Sequence, residues 1–190
     1  LRTKDLIRPE DVKPQPEEEI TFEKRTLPTE AQSFKSLAEF YHLAETQSPP
    51  KLFFDAVNYI SERSVNMQKY DFYWTPETDN KLNHRVIVPF IYKGEIVGYT
   101  ARALVDGIKP KYHSNHPGHF VFNLDNQTYD NKFVLVMEGP FDAMAVDGVS
   151  VQTNEISEQQ AELIEGLGKE VIYVPDFDKH VNKHLSLIHI

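Results

Sequence analysis

Phe133-Val134-Leu135-Val136-Met137-Glu138-Gly139-Pro140-Phe141-Asp142-Ala143 is the stretch that decides the fold. A continuous apolar run reads as a strand covered on both faces, here Phe133–Glu138, and it leads directly into a carboxylate. Gly139-Pro140 turns the chain, and Asp142 opens a short helix, Asp142–Val146. Downstream, Val171-Ile172-Tyr173-Val174-Pro175-Asp176-Phe177-Asp178 repeats the plan, an apolar run delivering carboxylates at i and i+2. Between the two lie a second strand, Val149–Thr153, and the capping-box sequence Ser157-Glu158-Gln159-Gln160. Ala161, Leu163, Ile164 and Leu167 give the helix after it a buried side, and Gly168 ends that helix. Strand, helix, strand, helix, strand with short connections is the βαβαβ pattern of an α/β protein with a Rossmann-like, doubly wound parallel sheet.

In open parallel sheets, sites form outside the carboxyl ends of the strands. Glu138, Asp176 and Asp178 fall at such ends, and strand alternation puts the two aspartates on one side with Phe177 turned away. Asp142 lies in the first turn of its helix, where the dipole favours negative charge, so helix capping alone also accounts for it. Glu138 is harder to explain structurally, because strands disfavour it and Gly139 lets a ligand or backbone approach closely. Carboxylates gathered at one edge are costly unless a divalent cation offsets them. Mg²⁺ takes few protein carboxylates and leaves its other positions to water and phosphate oxygens. The pattern therefore implies metal-dependent phosphate chemistry.

Upstream, residues 1–28 hold four prolines among charges and read as an extended linker. Thr29-Glu30-Ala31-Gln32 has capping-box form, with Phe34, Leu37, Ala38 and Tyr41 following at helical spacing. Ser48-Pro49-Pro50 breaks the chain and starts a helix whose apolar face is Phe53, Ala56, Val57 and Ile60. Tyr70–Trp74 reads as a short strand or loop. Arg85–Phe90 and Ile96–Leu104 flank Tyr92-Lys93-Gly94-Glu95 as a hairpin. Lys109-Pro110-Lys111-Tyr112 follows in a loop. His113, His116 and His119 recur at intervals of three, but Pro117-Gly118 breaks any helix that would align them, so a polar loop is expected there rather than a metal site. The implied organisation is a linker (1–28), a small α+β subdomain (29–128), a parallel-sheet domain (129–185) and a tail (186–190).

Composition narrows the function classes. At 190 residues the chain can bury a real core, and no apolar run approaches membrane-spanning length. No signal peptide is recognisable at its start. The complete lack of cysteine excludes disulfides, zinc ribbons and thiol catalysis, and fits a reducing cytoplasm. The net charge of −9 disfavours nucleic-acid binding through the overall field, so any such contact must come from a local basic patch.

Glu138-Gly139-x-x-Asp142-Ala143 together with Asp176-x-Asp178 resembles the TOPRIM domain shared by DnaG-type primases, topoisomerases and some nucleases. Upstream segments select among these. Tyr59-Ile60-Ser61-Glu62-Arg63 resembles the Tyr-Leu-x-x-Arg helix of bacterial and phage replicative primases. Arg85–Phe90 resembles their Arg-x-x-x-Pro strand, Gly98–Arg102 the strand ending in arginine, and Lys109–Tyr112 with Ser114-Asn115 their Pro-Lys-Tyr-x-Asn segment. The likeness covers roughly residues 50–180 and keeps the family's order. It departs after the acid pair, where Lys179-His180-Val181-Asn182 replaces small residues and glycine.

The resemblance implies a fragment of a primase catalytic core: a partial TOPRIM domain after a primase-type α+β subdomain, without the family's zinc module, remaining sheet and helical C-terminal subdomain. A compact phage-type member is expected, in the host cytoplasm if phage-encoded. It implies that Glu138, Asp142, Asp176 and Asp178 are catalytic and that Glu138, Asp176 and Asp178 hold Mg²⁺ or Mn²⁺. Arg85, Arg102, Lys109 and Lys111 would line the channel for single-stranded DNA template and ribonucleoside triphosphates, with a replicative helicase as partner. The expected activity is synthesis of short RNA primers. Two alternatives remain open at this level: a nuclease or topoisomerase component cleaving phosphodiesters, and a non-catalytic module binding nucleic acid or the replisome.

Overall fold

A computed structural model describes residues 19–43, 48–75, 81–128 and 130–176. Asp178, the residues that follow it and the tail lie outside the described residues.

The first half is built on a five-stranded antiparallel sheet whose strands run in sequence order: β1 (Gln32–Ser33), β2 (Tyr73–Trp74), β3 (Arg85–Tyr92), β4 (Glu95–Ala103) and β5 (Tyr112–Asn115). The long hairpin β3–β4 follows from its sequence. Val86, Val88 and Phe90 face one core and Ile87 another, and Lys93-Gly94 supplies the two positive-φ positions that a two-residue hairpin turn requires (φ 50° and 77°). Helices α1 (Phe34–Leu43) and α2 (Lys51–Ser61) accompany the sheet. From α2, Phe53, Ala56 and Ile60 are buried in the cluster that contains Val86, Val88 and Phe90.

Two local expectations are corrected. The helix expected from the Thr29 capping box begins only at Phe34, because Gln32 and Ser33 extend to pair with Trp74 and Tyr73. Tyr112–Asn115, expected in a polar loop, is the edge strand of the sheet, paired to Tyr99–Arg102. Gly98 makes that pairing possible: a Cβ there would lie 2.5 Å from the Asn115 carbonyl oxygen.

The second half is a parallel sheet of β6 (Phe133–Met137), β7 (Val149–Ser150) and β8 (Glu170–Val174), in the order β7-β6-β8. Helix α3 (Pro140–Ala145) connects β6 to β7, and α4 (Glu158–Glu165) leads to β8. The Ser157 capping box forms in both directions: the Gln160 amide donates to Ser157 Oγ at 3.3 Å and the Ser157 amide to Gln160 Oε1 at 3.0 Å. Gln160 is fully buried, and its Nε2 donates to the Phe120 and Val151 carbonyls, so the cap also stitches helix to sheet. Helix α4 gives way at Gly166, and Gly168, in the left-handed region at φ 63°, turns the chain towards β8.

The halves share a core. Phe141, Ala143 and Met144 of α3 pack in the same cluster as Phe53, Ile60 and Phe90. Residues 19–28, part of the segment that composition marks as a linker, run extended along this body. Phe22 stacks on His119 and meets Tyr92 edge-on, and the Arg25 amide donates to the Ile96 carbonyl at 2.8 Å. Among the described residues no helix is long and apolar enough to cross a membrane.

Candidate functional site

The carboxyl ends of all three parallel strands meet at Glu138. The Gln152 amide donates to the Glu138 carbonyl at 3.0 Å, continuing the β6–β7 ladder one step past the strands. On the other flank the Asp176 amide donates to Glu138 Oε1 at 3.1 Å, and the Tyr173 hydroxyl lies 3.4 Å from the same oxygen. Burial, then the nearby Glu138 carboxylate, raises the Tyr173 pKa. The first aspartate after β8 is thus held on the same rim as the glutamate after β6.

Gly139 is extended (φ −107°, ψ 149°) and precedes the first turn of α3. A Cβ at Gly139 would lie 2.9 Å from Asp142 Oδ2, so the missing side chain leaves room for this carboxylate to fold over the turn. Asp142 is exposed, while its neighbour Phe141 is buried edge-on against Tyr59 at 5.5 Å. Among the described residues no three His, Asp or Glu side chains stand close enough to hold an ion. Asp178, the expected partner of Asp176, lies outside the described residues.

A cleft of about 810 Å³ has Tyr59, Arg63, Arg102, Lys109 and Lys111 in its walls together with Glu62 and Asp106, and Tyr59 connects it to the helix of Asp142 by meeting Phe141. Arg102, near the end of β4, donates from Nε to the Tyr59 hydroxyl at 2.6 Å, and its guanidinium carbon lies 4.9 Å from the centre of the Tyr112 ring. Arg102 Nη1 is buried and has no hydrogen-bond partner. Arg63 lies over the Tyr59 ring at 3.5 Å and donates to the Tyr59 carbonyl. Burial raises the Tyr112 pKa; Arg102 opposes that rise, and the charges of Tyr59 and Asp142 add to it.

Arg85 serves this cleft from beneath. It is 3% exposed, and its guanidinium donates to four backbone carbonyls: Lys81, Ala101, Pro110 and Lys111. Burial, then the positive charge of Arg102, lowers its pKa. It clasps the loop that carries Lys109 and Lys111, both exposed. Sequence reasoning did not place Tyr59, Arg63 and Tyr112 at the site. The i, i+4 spacing of Tyr59 and Arg63 was a signal that they share a helix face.

No family model and no curated protein matches the chain. Solved structures do. The chain superposes on the Aquifex aeolicus primase (zinc-binding and RNA polymerase domains) with a TM-score of 0.54 at 18% identity, covering 75% of this chain and 46% of that one. It superposes on the RNA polymerase domain of Mycobacterium tuberculosis primase DnaG with a TM-score of 0.56 at 19% identity, covering 77% and 65%. For a DnaG primase catalytic domain bound to single-stranded DNA the values are 0.54, 15%, 76% and 70%. The chain thus has the fold of DnaG primase catalytic cores and spans about half the length of the Aquifex chain.

Proposed function

We propose that this chain is part of the catalytic core of a DNA primase, joining ribonucleotides into short RNA primers on a single-stranded DNA template. The observation that carries the reading is the convergence of Glu138, Asp142 and the Asp176 backbone on one rim, beside a cleft walled by Arg102, Lys109 and Lys111. The fold shared with primase catalytic cores, one of them solved with single-stranded DNA, supports it.

The donor set is carboxylate oxygen throughout, which suits Mg²⁺ or Mn²⁺, and Gly139 leaves the rim open where a side chain would crowd Asp142. Glu138, Asp176 and Asp178 would hold the ion, with Asp142 beside them. Bound there, a divalent cation would lower the pKa of the primer 3′-hydroxyl and offset charge on the departing pyrophosphate. The chain's own residues do the rest. Arg102, Lys109 and Lys111 hold phosphates of template and nucleotide against the repulsion of the net negative protein. The Tyr59 ring lines the cleft, and the Tyr112 ring packs beside the Arg102 guanidinium. Arg85 acts indirectly, by keeping the lysine loop in place. The same reading makes a replicative helicase the working partner.

Incorporation of labelled ribonucleotide on a single-stranded template, with Mg²⁺ or Mn²⁺, tests this. The expected result is synthesis by the whole protein that carries this chain, which Glu138→Gln abolishes, whether or not the chain is active by itself. Synthesis undiminished in Glu138→Gln, or none by the whole protein with either ion, would overturn it.

A further inference from the structure

We infer that Tyr59 is a positioning residue that locks Arg63 and Arg102, brought from different elements, into one phosphate-binding pair. The inference rests on the proposed function only for the identity of the polyphosphate; the lock itself is geometric. Arg63 follows the end of α2, and Arg102 lies near the end of β4. Left alone, two long cationic side chains repel and sample many rotamers, and ordering them for a ligand costs entropy. Tyr59 removes both costs with different parts of one side chain. Its ring face carries the Arg63 guanidinium at 3.5 Å, and its hydroxyl accepts from Arg102 Nε at 2.6 Å. The Arg102 guanidinium also lies 5.6 Å from the same ring. Tyr59 is itself fixed, edge-on against the buried Phe141 next to Asp142.

An independent observation shows what the lock prepares. With Nε committed to Tyr59, Arg102 Nη1 is left buried without any acceptor. A buried donor without an acceptor is unfavourable, and the Arg102 side chain lines the cleft that a phosphate would enter. Phosphate, like carboxylate, presents oxygens that match the planar fork of a guanidinium. Phenylalanine at this position would keep the ring contacts and lose the Arg102 bond. The hydroxyl is therefore the part of Tyr59 that links the strand arginine to the helix.

The test is a pair of double-mutant cycles on the whole chain, read by the anisotropy of a fluorescein-labelled oligothymidylate and, separately, by calorimetry with a ribonucleoside triphosphate. Tyr59→Phe is expected to weaken binding about three- to tenfold with at most a small fall in the melting temperature. Combined with Arg102→Ala it should cost nothing further, whereas combined with Arg63→Ala the losses should multiply. Coupling with the oligonucleotide assigns the pair to backbone phosphate; coupling with the nucleotide assigns it to the triphosphate; either supports the inference. Independent effects of Tyr59→Phe and Arg102→Ala on both ligands would overturn it. Arg63→Ala and Arg102→Ala singles that bind both ligands like wild type would instead overturn the functional reading itself.

Discussion

Asp147 illustrates how single side chains hold the two halves together. One carboxylate oxygen accepts from the Lys69 ammonium and from the Tyr70 hydroxyl, each at 2.8 Å, and Tyr70 also receives the Asn123 amide at 3.2 Å. Lys69, then the Tyr70 hydroxyl, holds the Asp147 carboxyl below its ordinary 3.8, although partial burial opposes this. A carboxylate depressed on folding contributes stability above its unfolded pKa and loses it as pH falls through the folded value. Asp147 is more than half exposed, so the ion pair is a small contributor, under about 1 kcal/mol. Asp147→Asn should therefore unfold at slightly lower urea than wild type at neutral pH, and the gap should close below about pH 4. A gap that widens on acidification contradicts the assignment. Arg85 is expected from its segment to line a nucleotide channel, and only the closeness of four carbonyls reveals it as a buried clasp.

At the scale of elements, the close approach of β5 to β4 depends on Gly98. A Cβ there would meet the Asn115 carbonyl oxygen at 2.5 Å and His116 Cα at 2.8 Å, both too firmly placed to swing aside. Gly98→Ala should cost about 1–3 kcal/mol in urea unfolding, while Gly118→Ala, with open space around it, should cost little. Equal unfolding midpoints for the two variants would contradict this. Elements whose sequence carries periodicity or a cap were readable in advance: the β3–β4 hairpin, α2, and α4 with its Ser157 box. The parallel strands were readable from their unbroken apolar runs. Strand β5 was not, because Tyr112-His113-Ser114-Asn115 is polar at a sheet edge and draws its stability from β4 rather than from burial. The docking of residues 19–28 was hidden for the same reason: charged and polar residues outnumber apolar ones in the segment, and one aromatic, Phe22, anchors it.

For the whole molecule, sheet order decides where chemistry can occur. Because β6 lies between β7 and β8, residues that are distant in sequence reach one rim, and Glu138 receives the Asp176 amide. That convergence was legible, since both acids follow apolar strands. The cleft was legible only in part: the segments of Tyr59, Arg63, Arg102, Lys109 and Lys111 were each marked by their resemblance, but the contacts of Tyr59 with Phe141 of α3 and with Arg102 depend on packing that no single segment carries. The net charge of −9 does not argue against a polynucleotide partner once cations are gathered in this cleft. The proposed primer synthesis requires the rim to hold a divalent cation. Mn²⁺ binding, followed by electron paramagnetic resonance on the chain and on Glu138→Gln, tests this requirement. A saturable site is expected, with an affinity that falls about tenfold or more in the variant. Equal affinity in both proteins, or no saturable site in the wild type, would contradict it.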